Sequence, residues 1–496
     1  MASIAAIIAG TQPGSRTRWR ADWLALGGLA ILVLAVRGIW FGDPVADFDE
    51  QLYSFIGWRM LSGELPFVDW WDRKPFGLFA IFAFAHWIGG PGAMAYQSFA
   101  AVATFAGAAM VYALARPLAG RKGAAISGAL YIMLISAYAS YSAQSEAFHV
   151  PLMLAALLLV RDPAHEHAVP RAAAAMAICG LALQVKYTVL PQCVMLGLWT
   201  LWARHRQGVE PKRLVVLGAA FAALGLAPTV LVGLLYLAIG EWDAFFFANF
   251  VSFFERGAAP GGRFDPSRVL WLLPLALLLG GGLYSALRVA PPRDRATYRL
   301  YAIWFASAVM TVLLPRTVYP YYYAALVPGA VLLATPLFDR RSVAGLAPAL
   351  VLLAFTAHIL ALPERYAASL AERADIARFA NAIAPHVNGE RKCLYVFDGP
   401  TALYRMSGGC APSRFVYPDH LTNALETGAI GVSQTGEVAR ILSTRPAVIV
   451  TTSTPTQVQN MAGLLLVGDA IRADYEPLAS VQLEDLRYHA WRLRVR

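Results

Sequence analysis

Apolar runs of roughly 15 to 25 residues recur from Trp23 to Leu362, the length that crosses a hydrocarbon core of about 30 Å. Short polar segments separate them, and every second one is basic: Arg16, Arg18 and Arg20, then Arg116, Arg121 and Lys122, and later Arg204, Arg206, Lys212 and Arg213 or Arg340 and Arg341. Taking the basic segments as cytoplasmic predicts about eleven transmembrane helices, at 23–41, 95–115, 124–141, 147–160, 172–185, 188–203, 214–239, 269–287, 300–314, 323–338 and 343–362. The stretch 76–88 is apolar but short, and counting it as a span would put the Arg116–Lys122 cluster outside. It reads as an interfacial or re-entrant helix. The odd number leaves the N-terminus cytoplasmic and everything after Pro363 outside.

Beyond Pro363 the pattern changes, and Glu, Arg, Asp and Asn return at ordinary density. Residues 1–362 are therefore expected to form a membrane domain and 363–496 a small outer α/β domain. Helices are expected at 371–384 and 436–443, with strands at 393–397, 414–417, 447–452 and 488–495. Cys393 and Cys410 are the cysteines of this outer part; in an oxidising compartment they are a candidate disulfide.

Composition fits a polytopic helical membrane protein and excludes an ordinary soluble domain: 58% of the 496 residues are hydrophobic and 15% charged, with a mean hydropathy of +0.52. The net charge of +10 invites a nucleic-acid reading. Its placement in alternate loops makes it a topological signal instead, and no nucleic-acid partner is expected. There is no P-loop, dinucleotide glycine fingerprint or Cys/His zinc pattern, and Gly280-Gly281-Gly282 inside a span reads as close helix packing.

The unusual polar residues all fall on the expected outer side. The first loop, 42–94, carries Asp47-Phe48-Asp49-Glu50-Gln51-Leu52-Tyr53 and Asp69-Trp70-Trp71-Asp72-Arg73-Lys74-Pro75. Glu146 and Lys186 end two spans of about 21 Å, short enough to sink both charges below the outer surface. Ionisable groups at that depth normally line a wet cavity and face a partner. Arg316 precedes a Tyr-rich turn that includes Tyr322, and the aromatic stretch 241–255 reads as an interfacial helix. An aspartate before the helix expected at 50–61 is a good N-cap, and it is also a carboxylate held ionised by the helix dipole, able to take a proton from a hydroxyl. Arg73 and Lys74 beside a rigid proline suit a phosphate clamp. Asp69-x-x-Asp72 leaves a divalent cation open, though two carboxylates do not specify one; no other cofactor is implied.

One base and a cationic clamp suffice if the leaving group is already a phosphate, unlike the paired carboxylates of glycosidases. The outer compartment lacks nucleotide sugars, so a transferase there needs a lipid-borne donor. Asp49 would take the acceptor proton while Lys74, helped by Arg73, Arg316 or Lys186, stabilises the phosphate oxygens. A transporter or flippase for a polar lipid or polysaccharide is the main rival, and a non-catalytic envelope assembly protein a third reading.

The first-loop pattern resembles the bacterial glycosyltransferase family 39 of the GT-C superfamily, which includes protein mannosyltransferases and the lipid A aminoarabinose transferase. Asp49-Glu50 with Tyr53, Gly63-x-x-Pro66 and Asp69-x-Trp71-Asp72-x-Lys74-Pro75 match in order and spacing. Phe76 stands where a second proline is usual, and Tyr319–Tyr323 where a His-Tyr pair often stands. The resemblance implies an inverting transfer from a polyprenyl-phosphate-linked sugar to a glycan, lipid or protein acceptor, in a bacterial inner membrane with the C-terminal domain periplasmic. It gives Asp49 the base position and Lys74 the donor-phosphate position. Tyr322 is a further candidate donor contact, and Glu50, Asp69, Asp72 and Glu146 are supporting acids.

Overall fold

The computed structural model describes residues 16–258, 269–292, 294–315, 317–338, 346–389, 392–455 and 457–495. Arg316 lies outside the described residues. Among these, seven helices are long and apolar enough to cross a membrane: Ala21–Trp40, Ala93–Ala137, Pro211–Ala238, Leu270–Val289, Arg295–Leu313, Pro320–Phe338 and Ala349–Val387. The chain is a multi-pass membrane protein. The two expected spans 95–115 and 124–141 lie along Ala93–Ala137 as two helices that meet at a kink at Gly120, where φ is 67° and ψ −166° and the backbone is not helical. Glu146–Val160 and Ala168–Leu183 form separate shorter apolar helices, at about 1.5 Å per residue too short to cross unaided.

The chain folds into two compact units. The first comprises Met1–Ile39, Ser98–Leu231 and Pro260–Leu362. In it, Glu146–Val160 packs along Ala168–Leu183, and Leu190–Arg206 along Arg295–Leu313. Small residues let helices approach: a Cβ on Gly282 would fall 2.5 Å from Ala334 Cα, which accounts for one member of the glycine triplet.

The second unit gathers Trp40–Gln97, Val232–Ala259 and Pro363–Arg496, so packing groups the first loop with the residues after Pro363. Helix Phe48–Met60 lies against Phe76–Gly89, closely enough that a Cβ on Gly57 would sit 2.7 Å from the Ala83 backbone nitrogen. The sheet has strands β1 (Leu394–Val396), β2 (Val448–Thr452), β3 (Tyr475–Leu483) and β4 (Leu486–Leu493), in the order β1-β2-β4-β3. β1 and β2 are parallel; the β2–β4 and β4–β3 pairs are antiparallel. Helix Gln434–Ser443, N-capped by Ser433, precedes β2 in the β1–β2 crossover, as parallel pairing requires. Cys393 and Cys410 are joined as a disulfide at the entry to β1.

The segment Arg414–Tyr417, expected as a strand, is not one: its backbone and rings engage the first loop instead. β3 and the preceding helix Met461–Asp474 were not expected. Pro477 and the register shift beside it break the alternation by which an edge strand is read.

Candidate functional site

Helix Phe48–Met60 sets the first half of the motif. Asp47 is its N-cap, accepting from the Glu50 backbone N–H at 3.1 Å, and Asp49 and Glu50 occupy the first turn. Burial, with Asp49 and Glu50 beside it, pushes the Asp47 carboxyl well above the usual range, so the capping aspartate favours its neutral form. The N-cap is thus Asp47 and not Asp49. Glu50 is fully buried and accepts from the Gln97 side chain at 2.9 Å, which makes it a structural member of the helix start.

Asp49 Oδ2 accepts from the Tyr53 hydroxyl, one turn on, at 3.2 Å. Asp49 Oδ1 accepts from the Tyr417 hydroxyl at 2.7 Å, across 368 positions of sequence. Lys74 Nζ stands 5.5 Å from the centroid of the Tyr53 ring, a cation–π distance. One phenol therefore touches the candidate base through its hydroxyl and the candidate phosphate cation through its face.

The second half is shaped by local turns. Asp69 accepts from the Leu65 N–H at 2.7 Å and Asp72 from the Lys74 N–H at 2.7 Å, so each acid caps its own stretch of backbone. Among the described residues no group of three or more His, Cys, Asp or Glu side chains could hold a metal ion. Burial raises the Asp72 carboxyl, with Lys74 and Arg73 pulling the other way. Just before these acids, Phe67 adopts a left-handed φ of 69° while fully buried against Phe79, Tyr236 and Phe245. A non-glycine residue there is strained by about 1 kcal/mol or more and persists where packing over-determines it.

Arg73 forks onto Glu426, with Nη1 at 2.9 Å from Oε1 and Nη2 on Oε2, and its Nε donates to Ser252 at 3.2 Å. Arg256 reaches the same carboxylate at 2.6 Å. Burial opposes ionisation of Glu426, but the two guanidiniums hold it at about 2. Arg73 is thus occupied in tying the first loop to the C-terminal residues of its own unit. Neither Glu426 nor Tyr417 was singled out from the sequence. Their only signal there is an aromatic and acidic stretch, Phe415 to Glu426, in an otherwise plain α/β region.

A separate polar cluster lies inside the first unit. Lys186 pairs with buried Glu146, and His149 Nε2 is 3.9 Å from the same carboxylate. The Lys186 ammonium stands 4.2 Å from the Tyr322 ring centroid and 5.7 Å from that of Tyr321. These groups, with Thr188 and Thr311, line a small cavity.

The sequence of residues 73–232 matches the family described as dolichyl-phosphate-mannose-protein mannosyltransferase. No curated protein sequence matches the chain. Among solved structures, the fold is similar to ArnT from Cupriavidus metallidurans bound to undecaprenyl phosphate, with a TM-score of 0.61 and 17% identity over 96% of this chain and 98% of that one. The apo ArnT structure gives a TM-score of 0.59 at 17% identity, over 94% and 98%. The archaeal oligosaccharyltransferase AglB from Archaeoglobus fulgidus, in complex with an inhibitory peptide and a dolichol-phosphate, gives 0.51 at 13% identity, over 88% and 70%. The chain thus carries an ArnT-like GT-C fold. Its family match covers residues 73–232, taking in only the Arg73-Lys74-Pro75 end of the first-loop motif.

Proposed function

We propose that this protein moves a sugar from a polyprenyl-phosphate donor to a cell-envelope acceptor at the periplasmic face of a bacterial inner membrane, with inversion at the anomeric carbon. The observation that carries the reading is Tyr53 spanning from Asp49 to Lys74, which keeps a proton acceptor and a cation side by side with an aromatic ring between them. Similarity to ArnT, whose structure holds undecaprenyl phosphate, supports a polyprenyl phosphate as the carrier.

In this mechanism the acceptor oxygen attacks the anomeric carbon from the face opposite the phosphate. The bond from that carbon to the phosphate oxygen breaks, and its electron pair leaves with the phosphate. The acceptor proton passes to Asp49. Lys74 stabilises the oxygens on which charge develops, so no acid need protonate the leaving group. Arg73 acts through Glu426, holding the segment that carries Lys74. Lys186 and Tyr322, brought together in the first unit, are further candidates for contact with an anionic ligand. Residues 1–362 supply the membrane domain in this reading, and 363–496 the periplasmic one.

The test is the Asp49→Asn variant in a strain lacking the native gene. Mass spectrometry of envelope lipids and glycans identifies the modified species that the deletion strain lacks and the wild-type gene restores. Asp49→Asn should lower its rate of formation about 10³-fold at unchanged membrane abundance. Normal product formation by this variant would exclude Asp49 as the base.

A further inference from the structure

Among the contacts between the first loop and the C-terminal domain, one short segment reaches both halves of the motif. The Trp71 N–H donates to the Arg414 carbonyl at 3.1 Å, and the Trp71 ring packs on Phe415 with centroids 5.6 Å apart. Three residues after Arg414, Tyr417 donates to Asp49. Its ring is fixed edge-on between Phe48, at 5.4 Å, and His420, at 5.3 Å, and Pro418 follows it. Next to this segment the Ala402 N–H donates at 3.1 Å to the side chain of Gln51, two residues after Asp49 on the same helix. The Tyr417 ring is therefore held by packing against Phe48 and His420.

We infer that Tyr417 is a positioning residue for the Asp49 base, so that the C-terminal domain completes the catalytic centre and is more than an acceptor-binding module. This rests on the base reading of Asp49. A carboxylate offers about four lone-pair sites on two oxygens. Tyr53 and Tyr417 donate to different oxygens of Asp49, and together they restrain the plane of the group. Tyr53 comes from the same helix and cannot by itself stop rotation about the carboxylate bond. The second, shorter hydrogen bond does. Orientation of this kind raises the rate of the proton-transfer step without adding affinity for either substrate.

The experiment uses full-length protein in lipid nanodiscs, with detergent-solubilised membranes of the deletion strain as the source of donor and acceptor. The initial rate of product formation is measured against the amount of membrane added. Tyr417→Phe keeps the ring and its packing and removes the hydroxyl. It should lower the maximal rate about 10-fold and leave the half-saturating amount of membrane within about two-fold. Val438→Ala trims the buried core of the C-terminal domain without touching Tyr417, and should leave the maximal rate of the folded protein within about two-fold. A full maximal rate for Tyr417→Phe, a faster one, or a loss confined to half-saturation would overturn the inference. So would equal losses in the two variants, which mark a packing role. Asp49→Asn is run beside them: if it retains the wild-type rate, the base assignment itself fails, whereas an inactive Asp49→Asn with a fully active Tyr417→Phe refutes only the positioning role.

Discussion

The two lysines that the sequence singles out meet carboxylates in opposite ways. Lys186 pairs directly with Glu146, a residue without solvent exposure, while its ammonium also rests on Tyr322. Lys74 rests on the ring of Tyr53, and it is the far end of that ring, the hydroxyl, that reaches Asp49. In the first arrangement opposite charges cancel on contact. In the second an aromatic ring lies between the carboxylate and the cation. Burial explains the first arrangement: a charge inside the first unit must be compensated by its neighbours.

Removing the cation on each side sharpens that contrast. Lys74→Met should lower the transfer rate by about 10³-fold, or about 4 kcal/mol of transition-state stabilisation, with little change in thermal stability. The measurement is product formation beside an unfolding scan of the same preparation. A variant that unfolds early but transfers normally once folded would make Lys74 a structural residue and erase the distinction.

The Glu146–Lys186 pair should behave in the reverse sense. Glu146→Gln strands a buried ammonium and should destabilise the protein by about 3 kcal/mol. Glu146→Gln combined with Lys186→Met removes both charges and should recover most of that loss, because the penalty lies in the unpaired charge. Thermal unfolding of the three proteins in one detergent decides it. Additive losses would show that each residue is held by something other than the other. Transfer by the double variant then reads whether Lys186 has a role in donor binding beyond the pair.

Hydrophobic periodicity made the membrane helices legible, because a span must be apolar along its whole length. It also separated 95–115 from 124–141, two helices that meet at the non-helical Gly120. Asp49, Tyr53, Asp72 and Lys74 stood out because their charges interrupt that pattern, and their local partners lie within a few residues. Tyr417 and Glu426 did not: each works through a contact more than 350 positions away, and nothing in a local window marks such a pairing. Arg414–Tyr417 shows the same limit in reverse. Its apolar, aromatic composition suits a strand, yet that surface is used to dock on Trp71.

The smallest effect concerns how the second unit bears its own buried charge. His420 is held at about 3 by burial, and Glu426 at about 2, where the Arg73 and Arg256 guanidiniums outweigh burial. Both are depressed in the folded state. Their contributions are present above the ordinary values of roughly 6.5 and 4.5, and are lost as pH falls toward the folded values. Asp398 is shifted in the other direction. Burial, with Asp419 nearby, pushes it up to about 7, so ionising it costs stability progressively between about pH 4 and pH 7. Replacing it by Asn removes that cost. Asp398→Asn should leave the unfolding temperature unchanged at pH 4.5 and raise it by about 2 to 4 °C at pH 8. The full-length protein scanned at both values provides the check, and an equal shift at the two pH values would mean that packing of the amide, and not relief of a buried charge, produced it.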